Sequence, residues 1–231
     1  MKLGLIGKSI SHSLSPSMYK KILGPNITYD LLDFNSISEL PTLTDLGKKY
    51  EGLNITSPFK RHYFKDVIVT DEVVAKLGAI NTLYFHEHDV FATNTDYHAV
   101  TTLMEKYLLR FSNLSVVLLG DGVMSQLTQI ICQKLGIEFS LCSRKTTPDL
   151  ESLDLTTFDN LNSQLLVINA CSREFILKGK FSGKELFLDY NYNFIPHQNT
   201  LPYLVKEYQD GQEMLLLQAQ AAVDFWKNKR R

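Results

Sequence analysis

The chain has 231 residues, with 24 lysines and arginines against 25 aspartates and glutamates for a formal net charge of −1. That length can bury a substantial core in one large or two small domains, and 44% hydrophobic with 21% charged residues is the make-up of a folded globular protein rather than a disordered one. The near-neutral balance argues against a nucleic-acid binder, no apolar run reaches membrane-spanning length, and the dispersed cysteines Cys132, Cys142 and Cys171 form no CxxC pair and read as reduced cytoplasmic thiols.

The N-terminal apolar run is too short for a signal peptide. Residues 2–6 read as a buried strand ending at Gly7, and Ser15-Pro16 as an N-cap with proline in the first turn of a helix carrying Met18, Tyr19 and Ile22, stopped by Gly24-Pro25. A strand over 28–34 and a weak helix over 37–50 follow. A third strand, 53–56, leads into Asn54-Ile55-Thr56-Ser57-Pro58-Phe59-Lys60. There Ser57-Pro58 predicts another helix start, so that two hydrogen-bonding side chains, Asn54 and Thr56, and the amine of Lys60 meet at one strand-to-helix corner. Such a corner suits a polar small molecule.

A helix from Asp71 ends at Gly78. Residues 81–85 and 90–93 form a predicted hairpin across His86-Glu87-His88-Asp89, where the two histidines read as a polar turn and not a metal site. Asn94-Thr95-Asp96 opens a helix to about Leu108, and a domain boundary is expected within it. Beyond Leu114 the pattern becomes strand, Gly120-Asp121-Gly122, helix to Gly136, strand over 139–142, with further strands at 165–168 and 186–188 and a last helix over 214–226. The basic tail Lys227, Lys229, Arg230 and Arg231 reads as solvated.

Strand, Gly120-x-Gly122, helix is a nucleotide-binding turn: glycines let the backbone approach a pyrophosphate, and the helix N-terminus favours its charge. An NAD-specific site wants a carboxylate at the end of the next strand. This chain places Ser143, Arg144 and Lys145 there, a basic set that matches the 2′-phosphate of NADP. Asp121, acidic beside the phosphate position, opposes an anionic ligand and is unexplained by the sequence.

Several segments in one order then resemble the shikimate dehydrogenase family: Ser11-His12-Ser13-Leu14-Ser15-Pro16, Asn54 to Lys60, Gly78-Ala79-Ile80-Asn81-Thr82-Leu83, Asn94-Thr95-Asp96, the glycine turn, Asn169-Ala170, Asp189-x-x-Tyr192 and Met214-Leu215-x-x-Gln218-Ala219. The resemblance implies an α/β protein of two domains, an N-terminal substrate domain completed by the C-terminal helix (1–98 plus 208–231) and a Rossmann-type NADP domain (99–207), with the active site in a cleft. It implies reversible, NADPH-dependent reduction of 3-dehydroshikimate to shikimate in a cytoplasmic monomer or homodimer with no nucleic-acid or membrane partner. Lys60 and Asp96 would be catalytic. Ser13 and Ser15 would bind the substrate carboxylate, and Thr56, Asn81, Tyr192 and Gln218 would complete the pocket. Gly120, Gly122, Ser143, Arg144 and Asn169 would hold the cofactor; no metal is implied.

The residue chemistry agrees with that assignment. Hydride transfer belongs to the cofactor, and the protein handles the proton. A lysine beside a carboxylate suits both directions, since burial favours a neutral amine and the carboxylate a charged one. Departures from the family pattern are Ala92, Ala99, Val123 and Glu213 in place of usual glycines, and a trimmed segment between Arg144 and Asn169. Val123 narrows the room for a diphosphate. Two alternatives therefore stand beside the main expectation: a relative acting on another polyol acid such as quinate, and a non-enzymatic ligand sensor of the same fold.

Overall fold

A computed structural model describes residues 1–160 and 162–229, the side chain of Lys229 excepted, so the expected solvation of Lys229, Arg230 and Arg231 lies outside the described residues. The chain divides into two compact units, residues 1–98 with 216–231, and residues 99–215. In chain order the elements are β1 (Lys2–Gly7), α1 (Ser15–Leu23), β2 (Thr28–Asp33), α2 (Leu43–Gly47), β3 (Gly52–Ile55), β4 (Ile68–Val69), α3 (Glu72–Leu77), β5 (Thr82–His86), β6 (Asp89–Thr93), α4 (Thr95–Arg110), β7 (Leu114–Leu119), α5 (Val123–Leu135), β8 (Glu138–Cys142), β9 (Gln164–Asn169), β10 (Leu186–Asp189), α6 (Ile195–Gln198), β11 (Glu207–Gln209) and α7 (Gln212–Lys229). The chain leaves the first unit within α4 and re-enters it within α7. Residues 207–209 pair with β10, so this stretch belongs to the second sheet, and the return falls at Leu216.

The first unit holds a mixed sheet in the order β2-β1-β3-β5-β6-β4, with β5 antiparallel to both β3 and β6. Side chains alternate across it with period two. Leu53 and Ile55 join Leu46, Phe59, Tyr63 and Val74 on one face. Leu3 and Leu5 join Tyr19 of α1 and Ala222, Val223 and Trp226 of α7 on the other. Gly52 faces α7: a Cβ there would meet Trp226 Nε1 at 2.6 Å. The fully buried indole donates to Leu83 O at 2.8 Å, which ties the C-terminal helix to the sheet. By the same alternation Asn54 and Thr56 share the face of Gly52.

Of two predicted helices, one is broken into shorter pieces and one does not form. Over 37–50 the chain forms a 3₁₀ turn (Ile37–Glu39) and then α2. Pro41 divides them, because a proline lacks the N–H a continuing helix needs and holds the preceding Leu40 extended, at ψ 130°. At Ser57-Pro58 the peptide is cis and no helix begins. The segment closes tight turns, Phe59 N–H to Thr56 O and His62 N–H to Phe59 O, while Lys60 O is taken by Ile80 N–H at 2.8 Å and so is unavailable to a helical ladder. The two-residue β4 and three-residue β11 are too short to show a periodicity.

The second unit is a parallel sheet in the order β11-β10-β9-β7-β8. The chain passes from β7 through α5 to β8 on one side, then crosses to β9 on the other. The end of β7 is therefore the switch point, where open parallel sheets hold ligands. Its core groups Val117, Leu119, Leu165, Val167, Phe175 and Phe187. At the carboxyl ends of β9 and β10 lies a fully buried polar cluster. Asp189 accepts from His197 Nδ1 at 2.6 Å and from Asn169 Nδ2 at 2.9 Å, and Leu177 N–H donates to His197 Nε2 at 3.0 Å, so the ring hydrogen is on Nδ1. Among the described residues no helix is long and apolar enough to cross a membrane.

Candidate active site and dinucleotide turn

The polar groups of the first unit gather where β1 and β3 end and α4 begins. Asn94 caps α4, its Oδ1 accepting Asp96 N–H at 3.1 Å. The Asp96 carboxylate is thereby spared from capping, although it lies in the first turn, where the helix dipole favours an anion. Lys60 Nζ donates to Asp96 Oδ2 at 2.7 Å, and the two side chains are 13% and 9% exposed. An amine and a carboxylate 36 residues apart in sequence thus form one largely buried ion pair.

Asn81 holds this corner in shape. Its Oδ1 accepts from Thr95 N–H at 2.7 Å and from Thr82 Oγ1 at 3.0 Å, and its Nδ2 reaches Gln218 Oε1 at 3.5 Å. Asn54 extends the network inward, accepting from Tyr29 OH at 2.8 Å and donating to Thr82 Oγ1 at 3.1 Å. Tyr29, Thr82 and Thr95 were not singled out from the sequence; all three are common in strands and caps, and only their convergence on Asn54 and Asn81 sets them apart.

Ser15 is the first residue of α1 and not its cap; Leu14 holds the cap position. Instead, Ser13 Oγ accepts Ser15 N–H at 3.2 Å and lies 3.1 Å from Ser15 Oγ, so the two hydroxyls stand side by side at the helix N-terminus, with no acidic residue in its first turn. This arrangement favours a carboxylate. Thr56 flanks the same loop. A Cβ on Gly7 would meet Thr56 Cγ2 and Ile10 Cγ2 at 2.5 Å each, and Ser13 N–H donates to Ile10 O. Tyr192, also expected at the substrate, lies in the other unit. There its carbonyl accepts from Arg173 Nη1 at 2.6 Å, and its ring lies 6.0 Å from that guanidinium.

In the second unit Gly120 has φ +103°, and a Cβ would meet Ala170 backbone and Cys171 Sγ at 3.1–3.2 Å, so glycine is required. A Cβ on Gly122 would meet nothing within 4 Å among the described residues, which leaves the start of α5 open to an anion. Val123 is the first residue of α5 and half-buried, so it continues the helix rather than filling the turn. Arg144 is exposed at the end of β8. An open glycine cradle, a helix N-terminus and an exposed guanidinium fit a phosphorylated dinucleotide.

Two expected cofactor contacts are spent inside the fold. Ser143 is buried, its Oγ accepting Lys145 N–H at 3.3 Å and lying 3.2 Å from Thr146 Oγ1, and so it shapes the turn that presents Arg144. Asn169 is fully buried between Asp189 and Cys171 N–H. Glu213, where a glycine is usual, is taken up by Lys106 and by Gln209 Nε2. Cys171, beside the turn, has its thiol pushed up to about 11 by burial. Among the described residues no cluster of histidine, cysteine or acidic side chains could hold a metal ion.

The sequence model of the shikimate dehydrogenase substrate binding domain matches residues 5–83. Over 244 residues the chain is 28% identical to a shikimate dehydrogenase (NADP(+)) of Saccharolobus islandicus, covering 98% of this chain and 89% of that one. Both similarities are to shikimate dehydrogenases. A solved shikimate dehydrogenase from Aquifex aeolicus shares the fold with a TM-score of 0.78 at 21% identity, over 99% of this chain and 92% of that one. A shikimate 5-dehydrogenase from Thermus thermophilus, solved in complex with NADP(H) and shikimate, does so with a TM-score of 0.72 at 19% identity, over 99% and 94%. This chain is shorter than these relatives. Its Ala92 and Ala99, where glycines were expected, are buried in β6 and α4.

Proposed function

We propose that the protein is an NADP-dependent shikimate dehydrogenase that reversibly reduces 3-dehydroshikimate to shikimate. The observation that carries this reading is the 2.7 Å Lys60–Asp96 pair, largely buried beside an Asn81–Gln218 amide network. The names of its relatives support the reading.

The Ser13 and Ser15 hydroxyls and the start of α1 would bind the substrate carboxylate, and Thr56, Asn81 and Gln218 its ring oxygens. Tyr192 is assigned to the same substrate. Gly120 and Gly122 would face the diphosphate and Arg144 the 2′-phosphate, with Ser143 and Asn169 shaping the loops around them. When bound, NADPH supplies the hydride that reduces the ring carbonyl carbon. Lys60 gives a proton to the oxygen as it becomes an alcohol, and in the reverse direction takes it back. Asp96 holds the amine in place and balances its charge. General acid–base groups of this kind contribute roughly 10²–10⁴-fold to rate.

The test is nicotinamide absorbance with shikimate and NADP, and with NAD in parallel. Turnover with NADP is expected, and Lys60→Ala is expected to lower kcat at least about a hundredfold while KM changes little. Wild-type turnover in that variant would remove Lys60 from the chemistry.

A further inference from the structure

The dinucleotide turn contains a carboxylate that an anion-binding loop has no need of. Asp121 stands between Gly120 and Gly122 at the switch point of the sheet, and its Oδ2 lies 2.6 Å from Nζ of Lys145. The contact follows from the pairing of β7 with β8, whose last register partners are Leu119 and Cys142: the loops leaving these two strands are neighbours. Arg144 belongs to the same cluster, since the Cys171 thiol packed against Gly120 is within electrostatic reach of both the guanidinium and the Asp121 carboxylate.

The end of the second strand of a Rossmann unit is where the adenosine ribose is read. A carboxylate there suits free hydroxyls, and a basic group suits a 2′-phosphate. This chain brings both to one place, the basic groups from the end of β8 and the carboxylate from the glycine turn. We propose that Asp121 sets the coenzyme preference: it competes with the 2′-phosphate of NADP for Lys145 and can accept from a ribose hydroxyl of NAD, which narrows the preference for NADP. The inference rests on the reading of the chain as a dinucleotide-dependent dehydrogenase.

The pair is poised for exchange. Lys145 is 82% and Asp121 43% exposed, so water competes for both partners and the bridge holds weakly. A 2′-phosphate can therefore draw Lys145 away. It then leaves Asp121 as an unpaired carboxylate close to a second anion. NAD brings no charge to the ribose and escapes both effects there, while the diphosphate that the two coenzymes share feels Asp121 alike and cancels from their ratio. Lys145 also holds the Asp121 carboxyl below the usual carboxylate range, so its charge is present at neutral pH.

NADPH and NADH are titrated by nicotinamide fluorescence, without substrate, into the full chain, into Asp121→Asn and into Asp121→Asn combined with Lys145→Met. Asparagine keeps the shape and removes the charge, and circular dichroism checks that each variant is folded. Asp121→Asn is expected to raise the NADPH-to-NADH affinity ratio about three- to tenfold, the scale of one charge a few ångströms away near water, mostly by tightening NADPH; the gain shrinks in the Lys145→Met background. An unchanged NADPH-to-NADH affinity ratio in Asp121→Asn, with wild type binding NADPH, overturns this inference alone. A wild-type chain that binds neither coenzyme at millimolar concentration overturns it together with the dehydrogenase reading.

Discussion

Among the lysine–carboxylate pairs of the two units, one from each is nearly the same length: 2.7 Å for Lys60–Asp96 and 2.6 Å for Asp121–Lys145. The first is 13% and 9% exposed, the second 82% and 43%. Distance therefore says little about what a pair does; surroundings decide. In the first, Asn94 caps the helix that carries the carboxylate, Asn81 fixes the same corner, and little water reaches either charge. Removing one partner strands the other in a poor solvent. In the second, both charges are hydrated and either can change partner at small cost. A fixed pair suits proton transfer, which needs a set geometry before the substrate arrives. An exchangeable pair suits a ligand subsite, where the incoming group takes over one charge.

The largest effect that would test this contrast is at Asp96. Asp96→Asn keeps the shape and removes the charge, leaving the Lys60 amine against a neutral amide. The expected outcome is a fall in kcat of about a hundredfold or more, with a loss of roughly 1–3 kcal/mol in urea unfolding, the scale for breaking one side of a largely buried charged hydrogen bond. Steady-state kinetics and denaturation on the same preparation read both. If the variant matches wild type in both measurements, the burial contrast has no functional content.

Much of this arrangement is legible in the sequence, and the gaps have physical causes. Gly78 and Gly136 both take left-handed φ at helix ends, as glycines after apolar periodic runs should. The hairpin between β5 and β6 follows from its alternation and its polar turn. Ser57-Pro58 misled because a serine before proline reads the same at a helix start and at a turn; what separates them is that Ile80 claims Lys60 O, a contact 20 residues away. Ser15 read as a cap because the motif does not show that the helix already includes it, with Leu14 at the cap position and Ser13 Oγ accepting the Ser15 N–H. The strand-to-helix corner pointed to Lys60, and the resemblance of ordered segments to Asp96, Asn81 and Gln218, but the network joining them, and the answer of Lys145 to Asp121, depend on strand pairing that one sequence cannot show.

Within the first unit, burial can be separated from pairing. Tyr29 and Tyr19 stack 4.7 Å apart, both buried beside Asn54. The Tyr29 hydroxyl donates to Asn54 Oδ1 at 2.8 Å, whereas the Tyr19 hydroxyl finds no hydrogen-bond partner among the described residues, and burial drives its titration well above the ordinary phenol range. Tyr29→Phe leaves a buried acceptor one donor short and is expected to cost about 1–2 kcal/mol in urea unfolding. Tyr19→Phe removes a polar group from a dry site and is expected to be neutral or slightly stabilising. Equal losses in the two variants would mean that Tyr19 is bonded after all, and that satisfaction of polar groups is not what distinguishes these neighbours.

The smallest expected effect is the most discriminating, because it is a null in one measurement and not in another. Lys145→Ala deletes an ion pair as short as the one at Lys60, yet both its partners are hydrated, so its loss is exchanged for water contacts of similar worth. The thermal midpoint is expected to stay where it is. Affinity for NADPH is expected to fall, because a 2′-phosphate then has Arg144 alone to answer it, and the fall diminishes as salt screens the remaining charge. A lowered midpoint would show that the bridge fastens the glycine turn to the end of β8 as a structural clasp, and the distinction between a fixed pair and an exchangeable one would then not hold for this molecule.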